Sequence, residues 1–390
     1  MTATEKLKSR FPDLNFVKPL PVDKHPRYEK FGIKFSPNKR TVLPKGHLKE
    51  DGRKKVLADT LLNSDTPIKL RDGVHEYADI FRPVTSDEHP VPAVICWSPY
   101  RKTSISLDMI WHRAGVPKGW ISGYETFEDL DPAEWTRRGY AIVNVDARGA
   151  QFSEAMVQRS HPALKALAPW EGFTDIYRQL YLRGEFSMNN VFAAQYQGGV
   201  AGGEGVEDVA QMVKTHPLFD DYWTQKYDEV LNIDVPIYVL GSFGNSFHVY
   251  GSFDTFRRAK STHKWMRVHA RFEWYEMYEP KPIDDLQRFY DRYAKGIMNG
   301  WETDTPSLRL SLHGFGTVPN IAERSEIGFP LQRQQLRKYY LDASVKRLTS
   351  LLPPDEAVAS YDSQDLNASS DFTINFDEYP EIAGYTKVRQ

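Results

Sequence analysis

Apolar and polar positions alternate with a changing period along the chain, and the changes mark its elements. PIKLRDGVHEYADIFRPV, starting at Pro67, alternates every second residue around Asp72-Gly73. That pattern predicts two strands joined by a two-residue hairpin turn. VPAVICWSPY, ending at Tyr100, is a continuous apolar run, the pattern of a strand buried on both faces. In DPAEWTRRGYAIVNVDARG, Asp131 fits a helix N-cap, Pro132 the first helical position, Glu134 the first turn and Gly139 the stop. A strand from Tyr140 to Val145 follows at once. Strand, helix, strand predicts a parallel sheet with a right-handed crossover.

Further along, HPALKALAPWEG reads as a short strand ending at Pro169. FTDIYRQLYLRGEF and GVEDVAQMVKTHPLFDDYWTQKYDEV have helical patterns, with the Gly-rich QYQGGVAGGEG between them. NIDVPIYVLGSFGNSF and KWMRVHARFEW are two more buried strands. PIDDLQRFYDRYAKG is an amphipathic helix opened by Pro282, with Asp284 and Asp285 in its first turn. Leu286, Phe289, Tyr290 and Tyr293 share one face, and Gly296 ends it. After Trp301, the segments SLRLSLHGFG, LRKYYLDA, AVASYDS and FTINFDEY predict antiparallel β structure in a second domain.

Composition adds limits. With 390 residues, 41% hydrophobic and 26% charged, the chain is globular and long enough for two or three domains. A formal net charge of −2 gives no electrostatic ground for binding nucleic acid or an anionic membrane. The basic run from Lys39 to Lys55 is interrupted by Glu50 and Asp51 and reads as a solvated loop. Cys96 is the single cysteine, so no intrachain disulfide forms, as in a reducing compartment. The N-terminus lacks a signal-peptide apolar region, and no apolar run of ~18 residues occurs, so a soluble cytoplasmic protein is expected.

Familiar chemical motifs are absent. There is no H-E-x-x-H, C-x-x-C or Ca²⁺ loop, and neither His263/His269 nor His112/His161 has ligand-like spacing, so no metal is implied. No Walker A and no G-x-G-x-x-G opens a helix, and no cofactor is implied. No G-x-S-x-G elbow exists. LGSFGN places Ser242 too late in the chain for a nucleophile, and neither Ser153 nor Ser160 is flanked by the small residues such a turn needs.

An ordered set of segments does resemble a known family. KLRDGVHEYADIFRPV, VPAVICWSPYRKT, GYETFEDLDPAEWTRRGYAIVNVDARG, LKALAPWEGFTDIYR, KWMRVHARFEW and DLQRFYDRYAKGIMNGWE resemble the Xaa-Pro dipeptidyl-peptidase and cocaine esterase-like hydrolases over Pro67 to Tyr385. The resemblance implies an α/β-hydrolase fold with a mostly parallel sheet, a helical cap and a C-terminal β-sandwich or jelly roll. It implies hydrolysis of esters or Xaa-Pro amides through Ser, His and Asp. The domains expected are an N-terminal extended arm (1–60), the first part of the core (61–172), the cap (173–230), the second part of the core (231–301) and the start of the sandwich (302–390).

Carried over by position, Tyr100 matches the oxyanion tyrosine, whose O–H can donate to a developing negative charge. Asn245 stands at the acid position, where it cannot supply the charge that stabilises an imidazolium. His269 is the candidate histidine, with His248 as the other choice and Glu273 near the same position. The nucleophile has no counterpart. Between Arg148 and Leu164 only fifteen residues intervene, whereas a β-α-β unit needs ~30. The stretch reads as a junction, and the sheet as internally shortened. The sandwich of the family also continues beyond this chain's last residues.

Three readings stand open: a hydrolase by descent, inactive without its serine; a non-catalytic relative whose pocket of Trp97, Tyr100, Trp170 and Trp274 holds a small ligand; or a truncated or mis-spliced product. The partner expected is a small ester or peptide-like ligand, with no nucleic acid and no membrane. A homo-oligomer is compatible.

Overall fold

A computed structural model of the chain describes residues 9, 11–17, 35–69, 75–98, 102, 115–146, 163–183, 186–187, 206–227, 230–243, 245, 247–314, 318–360 and 362. The first of its two units holds residues 1–312 and 322–329. This unit is a mixed α/β structure built on two sheets. One sheet has five strands: β1 (Lys39–Leu43), β2 (Thr60–Lys69), β3 (His75–Pro83), β4 (Ala93–Cys96) and β5 (Ala141–Val145). Their spatial order is β1-β2-β3-β5-β4. The second sheet runs β6 (Ile237–Ser242), β7 (Lys264–His269), β8 (Leu308–Leu312), β9 (Ile321–Glu326).

The predicted strand-helix-strand unit is present. Asp131 caps α1 (Pro132–Thr136) by accepting from the Ala133 N–H at 3.0 Å, with Pro132 in the first turn. Gly139 takes φ +76°, a conformation that suits a residue without Cβ, and releases the chain into β5. β4 and β5 pair in parallel, Ala93 opposite Ala141 through Cys96 opposite Asn144. β5 is buried throughout. β4 is not buried on both faces as its composition predicts: Ala93 is exposed and Ile95 is 45% exposed. The reason is position, since β4 is the end strand of its sheet among the described residues.

The HPALKALAPWEG segment lies along the free side of β6. It forms parallel bridges, Leu167 to Ile237 and Trp170 to Leu240. Backbone bonds of 2.9–3.0 Å tie them, among them Tyr238 N–H to Leu167 O and Glu171 N–H to Leu240 O. β4 and this segment are thus the outer members of two separate sheets that share one core. Phe81, Cys96 and Ile142 of the first sheet pack in the same cluster as Tyr238, Leu240 and Trp265 of the second.

The β2–β3 ladder is described as far as Lys69 opposite His75, and the turn expected at Asp72-Gly73 lies outside the described residues. Two further expectations need correction. Leu308–Leu312 does not open an antiparallel domain. β8 pairs in parallel with β7, Met266 opposite Leu308, because its apolar residues complete the second sheet. The Lys39–Lys55 run is a solvated loop only in part. Residues 44–55 are loop and largely exposed, but its start is strand β1, and Lys54 and Arg53 turn toward Glu134 (3.0 Å) and Glu125 (3.9 Å).

The helix predicted from PIDDLQRFYDRYAKG is α6 (Pro280–Tyr293), following α5 (Glu273–Tyr278). Leu286 and Phe289 are buried as the spacing requires, and Gly296 takes φ +73° beyond its end. Arg267 on β7 joins Glu276 of α5 at 2.6 Å and Glu323 of β9 at 3.0 Å, a buried pair that fixes the helix to the sheet.

Residues 206–227 belong to a second apolar cluster. Helix α2 (Val209–Thr215) and the turn α3 (Asp221–Thr224) pack Met212, Val213, Tyr222 and Trp223 against Ile176, Leu180 and Tyr181 and against Phe11 and Leu14 near the N-terminus. His216 bridges Asp13 at 2.7 Å and Asp220 at 2.6 Å. Burial lowers its pKa, but hydrogen bonds to Asp220 and Asp13 outweigh that and leave it raised. A raised folded-state value stabilises fully below the unfolded-state pKa of ~6.5 and fades as pH climbs through the folded value. His216→Gln should therefore lower the melting temperature more at pH 5.5 than at pH 8.5. Both carboxylates are exposed, so the effect should stay under about 1 kcal/mol. An equal loss at both pH values would show that the bridge carries no charge.

The second unit, residues 313–321 and 330–390, contains a small antiparallel pair, Tyr340–Asp342 with Arg347–Thr349. Among the described residues, no helix is long and apolar enough to cross a membrane.

Candidate functional site

In an open parallel sheet, ligands collect beyond the carboxyl ends of the strands. Here those ends are Ser242 of β6, His269 of β7 and Glu171 after the edge segment. The loop after β6 is shaped by Asn245. Its N–H donates to Ser242 Oγ at 3.1 Å, and its Oδ1 accepts from the Phe247 N–H at 3.1 Å. That turn leads into helix α4 (Val249–Arg258). The helix passes very close to the edge segment: a Cβ at Gly251 would sit 2.2 Å from the Gly172 carbonyl oxygen. Only glycine permits that approach, and it sets where Glu171 stands.

Asn245, Glu171, His269 and Glu273 converge there. Asn245 Nδ2 donates to Glu273 Oε1 at 3.0 Å. His269 is 1% exposed, and its Nδ1 lies 2.8 Å from the Arg271 carbonyl oxygen. A carbonyl only accepts, so Nδ1 carries the hydrogen. Nε2 is left facing Glu171 Oε1 at 3.3 Å, without the alignment of a hydrogen bond. Burial, and then the charge of neighbouring Glu171, push the Glu273 carboxyl up to about 8. Its acid form can donate to the Glu171 carboxylate beside it. His248 stacks near Phe173 (centroids 4.3 Å), and burial drives it down to about 4, against the raising charge of Glu171.

A third carboxylate approaches from the loop before α1. Glu128 takes φ +65° and accepts from Trp274 Nε1 at 3.1 Å. Glu171 takes φ +60°. For residues with a side chain such backbone costs about 1–3 kcal/mol and tends to gather at functional sites. The Glu128 loop is held by its own buried acids. Asp131 accepts from the Ser122 N–H at 2.9 Å and Ser122 Oγ at 2.6 Å. Burial pushes Glu125 up to about 8, helped by the charge of Asp131, and Asp129 up to about 7.

Of the residues expected from sequence, Asn245, His269, His248 and Glu273 are brought together at the strand ends. Tyr100, Ser153 and Ser160 lie outside the described residues, and among the described ones no hydroxyl hydrogen-bonds the His269 ring. Trp170 and Trp274 pack on the main core, whereas Trp97 belongs to a different cluster with Ala78, Val143 and Val145. Cys96 is buried and its thiol is raised well above the usual value by burial, and by the charge of Asp129, so it is inert. Glu171 and Glu128 were not singled out by sequence reasoning. A signal existed for Glu171: an acid directly after a buried strand of a parallel sheet.

Comparison with known proteins gives three findings. Residues 72–159 match the family model of X-Pro dipeptidyl-peptidases (S15 family), and the match ends inside the short stretch between Arg148 and Leu164. Two crystal structures of a CocE/NonD family hydrolase from Staphylococcus aureus share the fold. One has a TM-score of 0.72 at 24% identity, covering 93% of this chain and 70% of that one. The other has a TM-score of 0.68 at 24% identity, covering 87% and 66%. An L-tyrosine:2-oxoglutarate aminotransferase from Aspergillus ustus is 39% identical over 83 residues, 21% of this chain and 15% of that protein's length. The chain thus has the α/β-hydrolase fold of the CocE/NonD structures over nearly its whole length, and residues 72–159 are similar to the X-Pro dipeptidyl-peptidases of the S15 family.

Proposed function

We propose that this chain, a relative of the X-Pro dipeptidyl-peptidase and CocE/NonD hydrolases, binds a small ester or peptide-like ligand at the strand ends without hydrolysing it. One observation carries the reading: His269 Nδ1 is taken by the Arg271 carbonyl, and Nε2 faces the buried Glu171 carboxylate at 3.3 Å rather than a hydroxyl. A histidine that activates a serine needs one nitrogen on the acid and the other on the hydroxyl. Asn245 supports the same view, since it is neutral and spends its amide on Glu273. So does the stretch of fifteen residues between Arg148 and Leu164, too short for a strand, elbow and helix.

Removing a triad nucleophile lowers turnover by about 10⁶. Hydrolysis of p-nitrophenyl esters and Xaa-Pro p-nitroanilides should therefore stay at the buffer rate, for wild type and His269→Ala alike. Saturable turnover that disappears in His269→Ala would sink the proposal.

The exposed face of β4 favours a second reading. An apolar end strand of this kind is what the loss of an internal strand would leave. Transcripts sequenced across the codons from Glu154 to His161 decide it. An in-frame insert encoding a G-x-S elbow would replace the first reading with that of an active enzyme whose shortened form is described above.

A further inference from the structure

Residues 11–17 lie against the second apolar cluster and are fastened there in three ways. Phe11 and Leu14 are buried in it, and the Leu14 N–H closes a turn on the Phe11 carbonyl at 3.1 Å. The Phe11 ring meets the buried Tyr222 edge-on, with centroids 6.1 Å apart. Phe16–Val17 pairs antiparallel with Val206–Glu207, and the Asp208 N–H donates to the Asn15 carbonyl at 2.9 Å. The third fastening is Asp13, inside the turn, which reaches His216. His216 stands at the C-terminal end of α2, where a positive charge is favoured. Its backbone is fixed on both sides: its N–H donates to the Met212 carbonyl at 2.7 Å, and its carbonyl accepts from Trp223 Nε1 at 2.8 Å. Its ring stacks on Tyr222, with centroids 4.8 Å and planes 24° apart. Nε2 lies 2.7 Å from Asp13 Oδ2, and Nδ1 lies 2.6 Å from Asp220 Oδ2. A carboxylate only accepts and a neutral imidazole has one N–H, so both bonds exist together only in the imidazolium.

We infer that His216 is a proton-operated clip for this segment: doubly protonated, it fastens residues 11–17 to the cluster, and on losing one proton it keeps Asp220 and lets go of Asp13. The two carboxylates are not equally held. Asp220 Oδ1 caps α3, accepting from the Tyr222 N–H at 3.0 Å and the Trp223 N–H at 3.4 Å. The Asp13 side chain is 46% exposed and stands on a turn. The proton therefore leaves Nε2, and the bare lone pair then repels the Asp13 carboxylate it faces. Phe11 and Leu14 are left to hold the turn by apolar contact. The other charged groups on this side are Glu207, which accepts from the Tyr222 hydroxyl, and Lys226, which meets Glu207 at 2.7 Å and lies 4.8 Å over the Tyr222 ring. Burial, and then the charge of Glu207, push the Tyr222 phenol well up, so it stays protonated while His216 titrates. Burial alone would lower the His216 pKa, but its bonds to Asp220 and Asp13 raise it above the ordinary 6.5, so release falls on the alkaline side of neutral.

Two measurements on the full chain test the clip. Hydrogen exchange reads the segment itself, through peptides covering residues 11–17 and 206–208 in wild type and in Asp13→Asn. Comparing the two proteins at the same pH cancels the intrinsic exchange rate and the titration of other groups. Protection should be about two- to fivefold higher in wild type at pH 5.5, the range for an exposed ion pair, and equal in the two at pH 9. Nitrogen NMR of the histidine-labelled wild type reads the ring, with His216→Gln identifying the signals. Both nitrogens should carry hydrogen at pH 5.5, and above the titration the ring should hold the Nδ1–H form that keeps Asp220. Protection that is equal in the two proteins at both pH values, or that differs by the same factor at both, would overturn the inference. So would a neutral His216 in the Nε2–H form, because that ring would have kept Asp13 and released Asp220.

Discussion

Trp301→Ala should destabilise the chain by about 3–5 kcal/mol, the range for removing a large aromatic from a core. Trp301 opens the helical turn α7 (Trp301–Asp304) and is fully buried. Its ring meets Tyr238 of β6, Trp265 of β7 and Phe289 of α6, with centroids 5.3, 5.8 and 5.4 Å away. The residue therefore joins two strands of the second sheet to the helix that covers them, and alanine would leave a cavity among rings that cannot collapse into it. Trp301→Phe should cost well under half as much, because the indole N–H it removes has no hydrogen-bond partner. Denaturant unfolding of the three proteins measures both values. An alanine variant within about 1 kcal/mol of wild type would mean that this cluster does not hold the sheet to α6.

Glu273→Gln should change how stability depends on pH. The Glu273 carboxyl is raised from its ordinary 4.5 to about 8 by burial and by Glu171. A group whose folded-state value is raised contributes fully below its unfolded value and loses that contribution as pH rises through the folded one. For Glu273 the window runs from about 4.5 to about 8, with a slope of up to about 1.4 kcal/mol per pH unit. Glutamine keeps the acceptor for Asn245 Nδ2 and cannot ionise. Glu125 and Asp129 titrate in the same range, so the informative quantity is the difference between wild type and variant. That difference should move in favour of the variant as pH rises from 5 to 8. A constant difference would show that Glu273 is not held as an acid in the folded chain.

The sequence patterns that held were those with a local physical cause. Asp131-Pro132 and Gly139 define α1 through capping and backbone preference alone, and the spacing of Leu286 and Phe289 defines the buried face of α6. The patterns that failed depended on neighbours. β4 has the composition of a doubly covered strand, yet Ile95 is exposed because β4 ends its sheet. Leu308–Leu312 alternates like an antiparallel strand, but the free side of β7 recruits it in parallel. The basic run ending at Lys55 looks solvated when read alone, but in the fold its Arg53 and Lys54 face the buried Glu125 and Glu134. Asn245 and His269 were carried over by position from the family resemblance, and both stand at the strand ends. Glu171 was missed because its role depends on where His269 Nε2 points, which no spacing in the sequence encodes.

The central claim is that the strand-end site lacks a serine activated by His269. Its most direct measurement is the intact mass of the purified chain after treatment with a fluorophosphonate, which captures serines activated by a base. The account predicts an unchanged mass. An adduct of one equivalent on a single serine, abolished by His269→Ala, would contradict it.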